Sequence, residues 1–153
     1  MSGGELYDHD FAAWLDQQVA LIREGRLNEL DLANLAEELE DMSKSKRREL
    51  RNRLITLLMH LLKYEFQPEA RTNSWLGTIL EQRQQISYVL DESPSLRAYM
   101  AGLHEDADAY RDAVKRAHIE TGLPAKRFPP VNPYGAQALD EDFWPGPGPH
   151  PEP

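Results

Sequence analysis

The chain has no cysteine, so disulfides, thiolate nucleophiles and cysteine-ligated zinc or iron–sulfur centres are excluded. No run approaches the ~20 apolar residues of a membrane-spanning helix, because Thr56 and His60 interrupt the best apolar stretch. Period-two alternation and internal repeats are also missing, which leaves no signal for strands or repeat architectures. Basic residues are in deficit. The 17 Lys and Arg against 26 Asp and Glu leave a net charge of −9, which disfavours general attraction to nucleic acid or anionic lipid. The first residues, Met1-Ser2-Gly3-Gly4-Glu5, carry neither the basic nor the apolar region of a secretory signal, and a cytoplasmic location is expected.

What is present suffices for one domain. A chain of 153 residues, 41% of them hydrophobic, buries about two thirds of the surface its unfolded form exposes. Helical periodicity dominates. Asp8 or Asp10 can cap a first helix carrying Phe11, Trp14, Leu15 and Ile22 on one side, with Gly25 as its stop. Asp31 opens a longer run in which Leu32, Leu35, Leu39 and Met42 repeat at three and four, and the spacing returns in Leu50, Leu54, Leu57 and Leu61. As one helix, residues 32 to 66 would be about 52 Å long, whereas a compact chain of this size has a radius of gyration of about 15 Å. The helix therefore kinks around Ser43 to Ser45, or the molecule is elongated and pairs with a copy of itself. Asn73 or Ser74 caps a third helix bearing Trp75, Ile79, Ile86 and Leu90. Ser93-Pro94 starts a last one, with a seam from Leu96 through Met100, Leu103, Ala107, Tyr110 and Val114 to Ala117.

The expected fold is all-α, an antiparallel helical bundle with one long helix and a Pro-rich C-terminal tail. Eight of the 11 prolines lie in the final 25 residues, where packed structure is not expected. The expected organisation is a bundle over residues 1–128, a segment at 129–145 that docks through Tyr134, Leu139, Phe143 and Trp144, and a disordered Pro/Gly tail at 146–153.

Reaction centres are scarce. None of His60, His104 or His118 has an acid three residues before it, and no His-x-x-x-His occurs, so the usual di-iron and zinc patterns fail. No metal and no cofactor is expected. His104 and Asp108, one helical turn apart, could share an ion. No nucleophile elbow, phosphate-binding loop or dinucleotide fingerprint is found. The basic run Lys44, Lys46, Arg47, Arg48, Arg51 and Arg53 could follow a phosphate backbone, but it lacks interleaved aromatics and adjoins four acids, as a solvated helix face does. His60, Lys63 and Gln67 share one helix stripe, and Arg71 and Trp75 follow the turn after Pro68. With Asp8 and Asp10, these form a candidate polar cluster. It could hold an anion or a partner's carboxylate, or its members could satisfy one another and cap the helix end.

Tyr7-Asp8-x-Asp10-Phe11-x-x-Trp14-Leu15, Leu30-Asp31-x-x-Asn34-Leu35-x-Glu37-Glu38-Leu39-Glu40, His60-Leu61-Leu62-Lys63, Gln67-Pro68, Ser74-Trp75, Ser93-Pro94-Ser95-Leu96, Glu120-Thr121-Gly122-Leu123-Pro124 and Phe143-Trp144-Pro145 together resemble the bacterial family called domain of unknown function 29. The resemblance spans about Tyr7 to Pro145 and implies an all-helical fold and a bacterial source, with no activity to transfer. The family pattern has glycine where this chain has Ser43, and often cysteine where it has Asn132. Three functional readings follow: a non-enzymatic, self-associating interaction module; a small ligand-binding or enzymatic bundle with its polar site around His60; and a nucleic-acid accessory factor using the basic run. The first is preferred, with a homo-oligomer as the expected state.

Overall fold

The structure, a computed structural model, describes residues 2–152 and divides at Ser45 into two compact units. Six α-helices occur among the described residues: α1 (Gly3–His9), α2 (Phe11–Arg23), α3 (Leu32–Phe66), α4 (Asn73–Glu92), α5 (Arg97–Leu103) and α6 (Ala107–Thr121). The described residues contain no strand. No helix is long and apolar enough to cross a membrane.

In the N-terminal unit, Ser2 caps α1 through a reciprocal box with Glu5. Asp10 is the residue that caps α2, its carboxylate accepting from the Ala13 N–H at 3.1 Å, whereas Asp8 lies inside α1. Gly25 takes φ +72° just past α2, a conformation costly for other residues. The unit's small core is Trp14, Gln18 and Leu21.

α3 continues as one helix through Ser43–Ser45. No residue of that stretch leaves the helix, in keeping with the lack of glycine and proline there. Beyond Leu50 it forms the centre of the C-terminal unit, with Leu54, Ile55, Leu57, Leu58, Leu61 and Leu62 fully buried. The direction of its neighbours follows from side-chain pairs. Arg53 meets Gln82 while Lys63 meets Trp75, so α4 runs antiparallel to α3. Arg51 meets Asp112 while Lys63 meets Glu120, so α6 runs parallel to α3 and antiparallel to α4.

The seam from Leu96 to Ala117 belongs to two helices rather than one. α5 ends at Leu103, and Asp106 then caps α6 by accepting from the N–H groups of Asp108 and Ala109. That carboxylate offers the backbone an alternative to continuing the helix. Gly122, at φ +73°, closes α6.

Residues after α6 lie on the bundle. Tyr134 and Ala138 are buried. The buried Arg83 of α4 donates from Nε to the Ala138 carbonyl at 2.8 Å and from Nη2 to the Phe143 carbonyl at 2.7 Å, with Trp144 under its guanidinium at 5.1 Å. Farther on, the His150 Nε2–H donates to the Gly146 carbonyl at 3.0 Å, leaving Nδ1 to accept from the Tyr64 hydroxyl at 2.7 Å.

Truncation separates these contributions. Removing residues 147–153 sacrifices the two hydrogen bonds of the His150 ring and its contact with Tyr64, about 1 to 2 kcal/mol, and should shift Tm by no more than about 8 °C. Removing everything from Asp142 onward also takes the Phe143 carbonyl from the buried Arg83 guanidinium, leaving it only the Ala138 carbonyl, and strips Trp144 from the core. That loss should reach about 3 kcal/mol or more. Thermal melts of the two truncations check both values; equal Tm values would contradict them.

Candidate functional site

α3 positions the expected cluster through its helical repeat. His60 and Lys63 are three residues apart on its C-terminal half, and Gln67 follows its last residue. The His60 ring is half-buried, with Nδ1–H donating to the Thr56 carbonyl at 2.9 Å. Lys63 is buried. Its ammonium lies 2.6 Å from a carboxylate oxygen of Glu120 and 4.5 Å from the centre of the Trp75 ring, so charge pairing and a cation–π contact compensate for its removal from water. Gln67 donates to the Thr121 carbonyl at 3.4 Å, beside Glu120.

Arg71 turns to the other side of the same helix end. Its guanidinium stacks on Tyr64 at 3.8 Å and donates from Nε to the Tyr64 carbonyl at 2.8 Å and from Nη2 to the Pro145 carbonyl at 3.4 Å. It thus caps a carbonyl at the C-terminus of α3, where the helix dipole favours a cation. The structure brings His60, Lys63, Gln67 and Trp75 together around Glu120, with Arg71 engaged separately. Glu120 was missed among the sequence candidates, since nothing in periodicity ties it to Lys63, 57 residues away.

Asp8 and Asp10 belong to the N-terminal unit, whose polar centre is Asp31. The Asp31 carboxylate accepts from the Trp14 indole at 3.0 Å and from the Asn34 amide at 2.8 Å, while its backbone N–H donates to Gln18 at 2.8 Å. These donors, Asn34 first, hold the Asp31 carboxyl below the usual carboxylate range. Nearby, the Tyr7 hydroxyl donates to Glu38, which pushes the phenol up to about 12. Asp8 shows no such engagement, and Asp10 acts as a cap.

The basic run is mostly committed to neighbours. Arg51 pairs with Asp112 at 3.1 Å, Arg53 with Glu49 at 3.2 Å and Gln82 at 3.1 Å, and Lys46 with Glu49 at 3.7 Å. Arg47 lies over Tyr99 at 5.9 Å. His104 and Asp108 do not lie on one continuous helix. The chain leaves the helix between them, Asp108 pairs with Arg111 at 3.0 Å, and no group of potential metal ligands occurs among the described residues.

The ion pair at the end of α3 predicts an asymmetry. Glu120→Gln leaves the buried ammonium of Lys63 without its counter-charge and should cost about 1 to 2 kcal/mol, since Glu120 is itself half exposed. Lys63→Met removes the charge together with its desolvation cost and should stay within about 1 kcal/mol of the wild type. Denaturant titrations of both variants read the difference.

A second expectation concerns pH. Burial, reinforced by the Lys63 charge, holds the His60 imidazole below its ordinary 6.5, and burial alone does the same for His104. Between the folded-state value and 6.5 the unfolded chain binds more protons than the folded one, so stability must fall as pH falls through that window. Tm should therefore drop between about pH 7 and pH 5.5, before carboxylates begin to titrate, and His60→Gln should flatten part of the drop. A Tm profile with the same slope in wild type and variant would contradict the assignment.

The family model described as Domain of unknown function DUF29 matches residues 6–144. No curated protein and no solved structure matches the chain.

Proposed function

The chain belongs to the DUF29 family, and on that footing we propose that it is a non-enzymatic interaction module that associates with a second copy of itself through its N-terminal unit. The observation that carries this reading is where large apolar side chains remain in water. Phe11, Leu15, Val19, Ile22, Leu27, Leu32, Leu39 and Met42 are all exposed and all belong to the first 45 residues, which bury only Trp14, Gln18 and Leu21. A unit with so small a core and so much exposed apolar surface gains from covering that surface.

α2 carries the most ordered part. At 100° per residue, Phe11, Leu15, Val19 and Ile22 fall within an arc of about 80°, beside the arc of Trp14, Gln18 and Leu21 that faces the unit's own core. The apolar face of α2 is thus twice as wide as its unit uses. The exposed half is also self-complementary. In an antiparallel pairing of two α2 helices, Phe11 of one copy falls opposite Ile22 of the other, and Leu15 opposite Val19, which is the requirement for an isologous twofold interface. Antiparallel packing also opposes the two helix dipoles. A second stripe, Leu32, Leu39 and Met42 on α3, adds exposed apolar surface to the same unit.

The pairing of Lys46, Arg51 and Arg53 with acids and amides supports a structural role for the basic run over nucleic-acid binding. The mutual engagement of Lys63, Glu120 and Trp75 likewise supports a structural polar cluster.

Sedimentation velocity at about 50 μM, a concentration that populates micromolar dimers, should give twice the chain mass of 17.5 kDa. Replacing Leu15 and Val19 together by lysine should return the monomer with an unchanged helical circular dichroism signal. A monomeric wild type, or a double variant that still dimerises, would overturn the proposal.

A further inference from the structure

Residues 145–151 return to the C-terminal end of α3. Gly146 turns the chain at φ +85° and passes so close to that helix that a Cβ there would stand 3.0 Å from the Glu65 Cα, a path that requires glycine. Just before it, Arg71 holds the carbonyl of the buried Pro145. From Gly146 to Glu152 every residue but one is exposed. The one is His150, a half-buried peg whose ring lies 5.7 Å from that of Tyr64. It is hydrogen-bonded at both nitrogens, accepting from the Tyr64 hydroxyl at 2.7 Å and donating to the Gly146 carbonyl at 3.0 Å.

Beside this peg lies an open groove of about 380 Å³, walled by Tyr64, Pro68, Arg71 and Leu76 on one side and by Pro149 and Pro151 on the other. Its chemistry suits proline-rich chain. Proline carries no N–H, so laying it on an apolar wall leaves no donor unsatisfied, and its fixed φ lowers the ordering cost of binding an extended segment. Aromatic-lined grooves take such segments by this means. The tail, Pro147-Gly148-Pro149-His150-Pro151, is a segment of that kind, but it leaves the groove partly open and hangs on one anchor. An anchor of two neutral hydrogen bonds at an exposed site opens and recloses readily.

We propose that the groove at the end of α3 is a recognition site for extended peptides in which a histidine is flanked by prolines, and that the chain's own tail is its intramolecular ligand, displaced when a partner protein brings such a segment. The seated tail defines what is read: an imidazole between the Tyr64 hydroxyl and the Gly146 carbonyl, with a proline on either side of it along the groove. A short tether gives the tail an effective concentration in the millimolar range, so a partner must bind the groove more tightly than the tail does. The open space beside Pro149 and Pro151 is where its bulkier apolar side chains gain that advantage. The site is independent of the self-association surface, because all of its lining residues lie in the C-terminal unit.

The test uses the full chain and the peptide Pro-Gly-Pro-His-Pro-Glu, the sequence of residues 147–152, with a second peptide that carries alanine in place of the histidine. The receptors are the wild type and His150→Ala, whose tail has lost its anchor. Two-dimensional NMR is recorded during titration to about 5 mM, where sites with millimolar Kd are largely filled. Saturable shifts are expected in His150→Ala at Tyr64, Leu76 and the Arg71 side chain, with the alanine peptide weaker by about threefold or more, the contribution of the ring's hydrogen bonds. The wild type should need several times more peptide, since its own tail competes. Adding Tyr64→Phe to His150→Ala, which removes only the hydroxyl, should narrow the preference for histidine. Absence of saturable shifts at these residues in His150→Ala, equal affinity for the two peptides, a wild type that binds as tightly as the variant, or an undiminished histidine preference with Tyr64→Phe would each overturn the proposal. So would shifts at Tyr64 and Arg71 that follow chain concentration without peptide, the mark of tails exchanged between copies.

Discussion

Between Leu54 and Tyr64 the helix α3 is buried on every side except the narrow strip formed by Thr56 and His60, which are half-buried. A helix apolar over most of its circumference cannot be satisfied by one neighbour. It needs cover from several directions at once, and the rest of the C-terminal unit is organised to provide it. α4 returns antiparallel along one side, α6 ascends along another, and the segment after α6 adds Phe128, Tyr134, Ala138 and Trp144 to the same cluster. The polar groups obey the same constraint. Lys63 sits on this buried stretch, so its ammonium must carry its own compensation inward, and Glu120 and Trp75 supply it.

The N-terminal unit is held together on a different principle. With three buried side chains, it relies on Asp31, whose carboxylate and backbone N–H tie Trp14, Gln18 and Asn34 to the start of α3. Directional hydrogen bonds of this kind fix geometry well but contribute modest net stability. The rings of Tyr7, Phe11 and Trp14, with centroids between 4.8 and 5.9 Å apart, add an aromatic cluster that is open on the Phe11 side. The C-terminal unit is therefore rich in buried apolar contacts, and the N-terminal unit presents apolar contacts still to be made.

Much of this was legible in the residues. The repeat Leu50, Leu54, Leu57, Leu61 marks a buried helix face because a period near 3.6 is a direct imprint of helical geometry, and all four are buried. Continuity through Ser43–Ser45 could not be decided, since polar residues without glycine or proline neither demand nor forbid a break. The seam from Leu96 to Ala117 misled for a related reason: its spacing survives the interruption at Asp106, so periodicity saw one helix where capping chemistry makes two. The polar cluster was legible only along the chain. His60, Lys63 and Gln67 share a stripe by spacing, but Glu120 joins them through tertiary packing, which leaves no local mark. The groove beside His150 was invisible because part of its wall is non-helical chain, whose path carries no periodicity at all.

Arg83 holds the segment after α6 in an uncommon way. Its hydrogen bonds go to the carbonyls of Ala138 and Phe143, groups that every residue possesses, rather than to any side chain. One buried fork thus specifies a backbone path while staying indifferent to most of the letters written along it. The burden of sequence falls unevenly: side chains between the two gripped carbonyls are free to drift as long as the chain keeps its course, whereas the arginine has no substitute. Lysine, a single point of charge, could not span two carbonyls with the planar geometry that the fork provides.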